Sequence, residues 1–179
     1  MEQWNVVVST YDGGYQSAKR VLARFGKLKR TPFFNVLFLQ VDDTGWFLDH
    51  FNALASNDPQ ILTSISRVAP AAHTFTFHDL AEFESKARDV VLQWVPQLAG
   101  KSFHIRVHRR GFKGCLSSHE EEKLLTHALL DALAATDKQA KISFEDPDAI
   151  IAIDTVGNWA GVSLWTREDL RRFPMLKEN

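Results

Sequence analysis

The sequence predicts an α+β protein made of two small domains, on three observations. Short apolar runs of strand length alternate with segments of helical periodicity. Hydrophobic residues make up 45% of the 179, with 13 Phe and 5 Trp among them, enough for one large core or two small ones. The pattern also changes near His78: it is βα in flavour before that point, then runs helix, strand, helix, strand, strand, strand.

Val6-Val7-Val8 predicts a short buried strand, and Asp12-Gly13-Gly14 a turn. From Tyr15, the residues Ala18, Val21, Leu22 and Phe25 recur at helical spacing up to a stop at Gly26. Lys19, Arg20 and Arg24 then lie off the apolar stripe. Phe33 to Val41 predicts a central strand entered at Pro32. Trp46, Phe47, Phe51 and Leu54 predict a helix ending before Asn57-Asp58-Pro59. A turn or short helix through Ile61 and Leu62 leads to an extended Arg67-Val68-Ala69-Pro70, and the Thr/Phe alternation of His73 to Phe77 is a strand pattern. Leu80 to Leu98 predicts one long helix with Asp79 as N-cap, its stripe running through Phe83, Ala87, Val91 and Trp94, ended by Pro96 and Gly100.

Composition excludes several classes. Cys115 is the only cysteine, so no internal disulfide framework exists, and a reducing compartment is expected. Met1-Glu2-Gln3-Trp4-Asn5 does not begin a secretory signal, and runs such as Val36-Leu37-Phe38-Leu39 fall far short of the ~20 residues of a membrane span. A soluble, cytoplasmic protein is the expectation. Gly13-Gly14 lacks the pattern of a dinucleotide or phosphate loop, and the seven His form no H-x-x-x-H pair on a helix. No cofactor or metal is expected.

Net charge is −1, but the charge is segregated. No acid lies between Asp12 and Asp42, where Lys19, Arg20, Arg24, Lys27, Lys29 and Arg30 fall. A second acid-free stretch, Lys101 to Lys113, holds Arg106, Arg109 and Arg110. Such a chain can offer a positive surface to a polyanion.

The second stretch points most directly to function. On a strand, Phe103, Ile105 and Val107 point to one face while His104, Arg106, His108 and Arg110 point to the other. Arginine suits phosphate because its planar fork donates paired hydrogen bonds and stays charged. Gly111-Phe112-Lys113-Gly114 adds a flexible turn with another cation. Ser118 with Glu121, or Ser117 with Glu120, matches a capping box before an amphipathic helix carrying Leu124, Leu125, Leu129 and Leu133. That helix start, beside the basic loop, is a candidate anion site. Asp146-Pro147-Asp148 fits a turn leading into an Ala149 to Ile153 strand.

Phe103 to Gly111, followed by Ser117-Ser118, resembles the central strand, loop and helix start of THUMP domains. Glu145-Asp146-Pro147-Asp148-Ala149-Ile150-Ile151-Ala152-Ile153 resembles the "nPD" strand of that family, and Trp159 to Trp165 its last strand. The Ser9 to Gly14 opening and the basic helix resemble the start of stand-alone THUMP proteins that assist tRNA cytidine acetylation. The resemblance implies a small ferredoxin-like N-terminal domain, 1–78, packed on a C-terminal THUMP domain, 79–179, with a mixed sheet and flanking helices. It further implies a partner that is tRNA or another structured RNA, and a separate enzyme that modifies it, with no catalysis by this chain. Carried over by position, Arg106, His108, Arg109, Arg110, Lys113, Ser117 and Ser118 would touch phosphate or sugar, with Lys19, Arg20, Lys29, Arg30 and Arg67 added from the first domain, while His104 could as easily sit at a partly covered sheet face. Only Arg171 to Asn179 follows the matched segments, so no catalytic unit is expected in this chain. The competing expectation is a small enzyme acting on RNA or nucleotides through Cys115, or through His108 with Asp148.

Overall fold

The structure, a computed structural model, describes residues 3–177. The chain forms two compact units, Met1–Ala72 with Leu170–Asn179, and His73–Asp169. Among the described residues no helix is long and apolar enough to cross a membrane.

The first unit runs β1 (Val6–Thr10), α1 (Tyr15–Leu22), β2 (Lys27–Arg30), β3 (Val36–Gln40), α2 (Thr44–Asn57), a 3₁₀ turn (Pro59–Thr63) and β4 (Ile65–Pro70). Its sheet order is β2-β3-β1-β4, with every neighbouring pair antiparallel. This βαββαβ arrangement is ferredoxin-like. Val6, Val8, Leu37, Leu39 and Val68 are fully or almost fully buried, as expected of interior strands whose apolar runs have no polar alternation. Phe25 packs edge-on to Phe47, with ring centroids 5.3 Å apart, and joins the chain after α1 to α2. Gly26 is required where it stands, because a Cβ there would lie 1.9 Å from the Gln40 carbonyl oxygen. The C-terminal segment returns to this unit: Phe173, Met175 and Leu176 are buried, and Arg172 Nη2 donates to Asp49 Oδ1 at 2.6 Å.

The second unit runs β5 (His73–Thr76), α3 (Leu80–Leu92), α4 (Val95–Leu98), β6 (Ser102–His108), α5 (Ser118–Ala134), β7 (Lys141–Ile142), β8 (Ala149–Val156), β9 (Trp159–Thr166) and the start of α6 (Arg167–Arg172). Its mixed sheet has the order β5-β9-β8-β6-β7, with β6 parallel to both β7 and β8. Phe83, Ala87 and Val91 of α3, with Leu125, Leu129 and Leu133 of α5, pack in one cluster with Phe103, Ile105, Val107, Ile151, Ile153 and Val162 of the sheet. Asp79 caps α3, its Oδ1 accepting from Glu82 N at 2.8 Å.

Three sequence expectations change. The long helix is broken: it ends at Leu92, and a new turn starts at Val95 with Pro96 in its first positions, because proline cannot supply the N–H that continuation needs. Lys27–Arg30, in the sequence no more than a run of charge, is an edge strand. The division between units falls before His73, since β5 pairs with β9, and the last residues join the first unit.

Candidate nucleic-acid interface

β6 delivers its alternation as expected on one side: Phe103, Ile105 and Val107 are 0%, 3% and 7% exposed. The other side is not an open row of cations. His104 is buried, its Nδ1 donating to the Ser143 carbonyl at 2.8 Å, with Phe144 tilted over it. Arg106 is exposed and His108 half-buried. Arg110 lies beyond the end of the strand and folds inward, Nη1 to Asp154 Oδ1 at 3.1 Å. Its backbone is held as well: Arg110 N donates to Thr155 Oγ1 at 3.1 Å, and its carbonyl accepts from Gly157 N at 2.8 Å. Arg110 therefore anchors the loop instead of facing a phosphate.

The residues just after this anchor take their shape from it. Arg109 Nη1 donates to the Gly111 carbonyl at 2.6 Å, and Gly111 takes φ 97. Phe112, at φ 52, sets its ring 5.0 Å from Phe77, which fastens the loop to the core. A non-glycine residue in the left-handed region carries strain that surrounding contacts must hold. Lys113 is left exposed between this anchor and Gly114. Ser117 is the N-cap of α5, its Oγ accepting from Glu120 N at 3.3 Å, and Ser118 opens the helix.

The start of α5, the expected anion site, carries acids of its own. Glu120 and Glu121 sit in the first turn, and Glu122 Oε2 accepts from Val107 N at 3.1 Å. Acidic side chains in the first turn compete with an outside anion for the helix dipole. Glu121 is 3% exposed, and burial, then the Glu84 carboxyl beside it, push it up to about 8. Arg106 and Lys113 are exposed and Arg109 is half-buried, and the same unit also exposes Arg88, Lys101, Lys123, Lys138 and Lys141.

In the first unit, alternation along β2 sends Lys29 and Arg30 to opposite faces. Lys29 pairs in register with Phe38 and lies over the Trp4 ring at 5.6 Å. Arg30 pairs with Leu37 and lines a cavity with Tyr15 and Gln16 of α1. Lys19 and Arg20 are exposed on the same helix. Arg67 is 6% exposed, too buried to serve as an outer phosphate contact.

The residues of the competing enzyme reading are dispersed. Parallel pairing sets His108 opposite Asp154, whereas Asp148 precedes the Phe103–Ala149 pair at the other end of the strands. At ~3.3 Å per residue they stand roughly 20 Å apart, so they cannot share a proton. Asp148 has another task. Its Oδ2 accepts from Ser102 N at 2.8 Å and from Ser102 Oγ at 3.2 Å, and Arg167 bridges it to Asp146. The Ser102 backbone hydrogen bond holds Asp148 below its usual range. Cys115 is exposed and lines a groove of about 600 Å³ with Glu84, Glu121 and His127.

Comparison with solved structures places this architecture. PH1313 from Pyrococcus horikoshii Ot3 superposes with TM-score 0.62 at 10% identity, over 92% of this chain and 55% of that one. TrmN from Thermus thermophilus gives 0.54 at 13%, over 90% and 44%. A 4-thiouridine synthetase solved as an RNA complex with bound ATP gives 0.52 at 12%, over 92% and 42%. The fold is shared. It is the α+β fold that the THUMP resemblance implies, and the chain spans about half the length of these structures. No protein-family model and no curated protein matches the sequence.

Sequence reasoning passed over Tyr15, Gln16 and Phe34, which the fold gathers around Arg30. No periodicity links α1 to the loop before β3; the pairing of β1 with β3 and the hydrogen bonds of Asn35 with Thr10 and Asp12 bring that loop to the β1–α1 turn.

Proposed function

We propose that this chain binds structured RNA, with tRNA as its ligand, and presents it to a separate modifying enzyme. The observation that carries this reading is the loop after β6, braced at Arg110 and Phe112, which follows the exposed Arg106 and carries the half-buried Arg109 and the exposed Lys113. Rigid placement lets guanidinium and ammonium groups meet phosphates without first paying the entropy of ordering. The mode fits A-form RNA, whose bases are hidden in a deep groove and whose backbone and 2′-hydroxyls are what a protein meets. The fold shared with a synthetase solved as an RNA complex supports the same partner class.

The chain supplies no chemical step in this reading. The similarity of Ser9 to Gly14 and the basic helix to stand-alone acetylation adaptors makes a tRNA cytidine acetyltransferase the enzyme served. The test is reconstitution. Adding this chain to such an acetyltransferase and tRNA is expected to raise acetylation at limiting tRNA, and the Arg106→Ala/Arg109→Ala variant is expected to abolish the gain. Stimulation that survives the variant would refute the role assigned to the loop.

A further inference from the structure

The first unit holds a cavity of about 450 Å³ between the start of α1 and the loop joining β2 to β3, lined by Tyr15, Gln16, Arg30, Phe33 and Phe34 among others. Its volume suits one small planar ligand and is within the range of small-molecule sites, roughly 300–1,000 Å³. We propose that it takes one unpaired nucleotide of the bound RNA, the base stacking on Phe34 and the phosphate meeting Arg30. This rests on the RNA-binding reading and deepens it.

Phe34 is 83% exposed, an apolar ring left in water. It does not hang on a loose loop. Thr31, 5% exposed, accepts from Phe33 N at 3.1 Å and donates to the Val36 carbonyl at 2.9 Å. Asn35 sits at φ 59, its Nδ2 donating to Asp12 Oδ1 at 2.7 Å while its carbonyl accepts from Thr10 N at 2.9 Å. A loop fixed at both ends holds the ring outward, which suits stacking because a rigid aromatic loses little freedom when a base covers it.

The polar groups fit the rest of a nucleotide. No carboxylate lies among the lining residues, so Arg30 adds positive charge there without an acid beside it in the wall. Lys19, 5.9 Å above the Tyr15 ring, and the exposed Arg20 extend the positive surround. The Gln16 amide supplies a donor and an acceptor for a base edge. A paired base could not enter, since its edge and both faces are already taken. A free mononucleotide has the same chemistry, so the test separates the two sources.

The experiment compares two RNA hairpins, one fully paired and one with a single bulged 2-aminopurine, and adds AMP alone as a third ligand. Wild type is expected to bind the bulged hairpin more tightly and to quench its fluorescence. Phe34→Ala is expected to lose roughly 5- to 100-fold on the bulged hairpin, the range for one base–aromatic stack, while binding the paired hairpin as wild type does. Phe34→Trp is expected to restore both preference and quenching. Equal binding of the two hairpins by wild type would overturn the site and leave the RNA-binding reading intact. Binding of AMP, lost in Phe34→Ala, with neither hairpin bound, would keep a nucleotide site but overturn its RNA source. Binding of none of the three would overturn both.

Discussion

Arg110 and Asp154 form an inward-facing ion pair, Nη1 to Oδ1 at 3.1 Å, with side chains only 15% and 6% exposed. The pair closes the loop after β6 onto β8, and its consequence is a division of labour among neighbouring arginines. Arg110 holds the loop, whereas Arg106 is exposed on the strand before it and Arg109, half-buried, donates to the Gly111 carbonyl. Removing one partner of a buried pair leaves the other charge uncompensated. Arg110→Ala is therefore expected to cost about 2–4 kcal/mol of stability in urea unfolding. Arg106→Ala, at an exposed position, is expected to cost less than about 0.5 kcal/mol.

Glu121 sets the pH dependence of the second unit. Its carboxyl is raised to about 8, against 4.5 ordinarily, by burial and by Glu84. Between those values the folded chain keeps a proton that the unfolded chain releases, so stability falls as pH rises through the window and levels off above it. Glu121→Gln keeps the shape without the titration. It is expected to flatten this slope and to be more stable than wild type at pH 8 by roughly 1–3 kcal/mol, read from urea midpoints at pH 5, 6.5 and 8.

Ser102 and Asp148 pin the starts of two parallel strands to each other. Besides accepting from Ser102, Asp148 donates its own N–H to Ser102 Oγ at 2.9 Å. Ser102→Ala is expected to cost about 1–2 kcal/mol, since it strips a buried hydroxyl from that reciprocal pair. Asp148 is held below its ordinary 3.8, so its contribution is present above that value and lost as pH falls through the lowered one. Acid unfolding followed by tryptophan fluorescence is expected to begin at higher pH than in wild type if Arg167→Ala removes one of its charge partners.

Cys115 has no part in the RNA surface proposed above. It is exposed, lining a groove with residues of α3 and α5, and it stands two residues after Lys113. Cys115→Ser is expected to leave tRNA affinity and stimulation of the modifying enzyme within twofold of wild type. A loss of tenfold or more in either would revive the thiol reading.

What the sequence made legible was local. The βαβ order, the Asp79 cap and the apolar side of β6 follow from periodicity and from residue chemistry that acts within a few positions. β2 escaped because an edge strand buries little: in Lys27–Arg30 only Leu28 is even half-covered, and the rest reads as charge. The face of β6 carrying His104 was legible only as two alternatives, a row of cations or a partly covered sheet face, for the opposite reason. Alternation separates two faces but cannot say that the second is covered too, which depends on segments far along the chain such as Ser143 and Phe144. Arg110 looked like one more exposed cation because its partner lies 44 positions away. The Phe34 cavity was illegible for the same reason, as its walls meet once β1 pairs with β3.

Whether the braced loop is a phosphate-binding surface is decided by tRNA affinity as a function of salt. Wild type and the Arg106→Ala/Arg109→Ala/Lys113→Ala variant would be titrated with labelled tRNA across a series of salt concentrations. Each lost phosphate contact removes about 0.7 to 0.9 from the slope of log affinity against log salt. Steep salt dependence is expected for wild type, and for the variant a slope shallower by roughly 2–3 with an unchanged urea midpoint. Salt-insensitive binding, or a variant with the wild-type slope and affinity, would contradict a phosphate-binding loop.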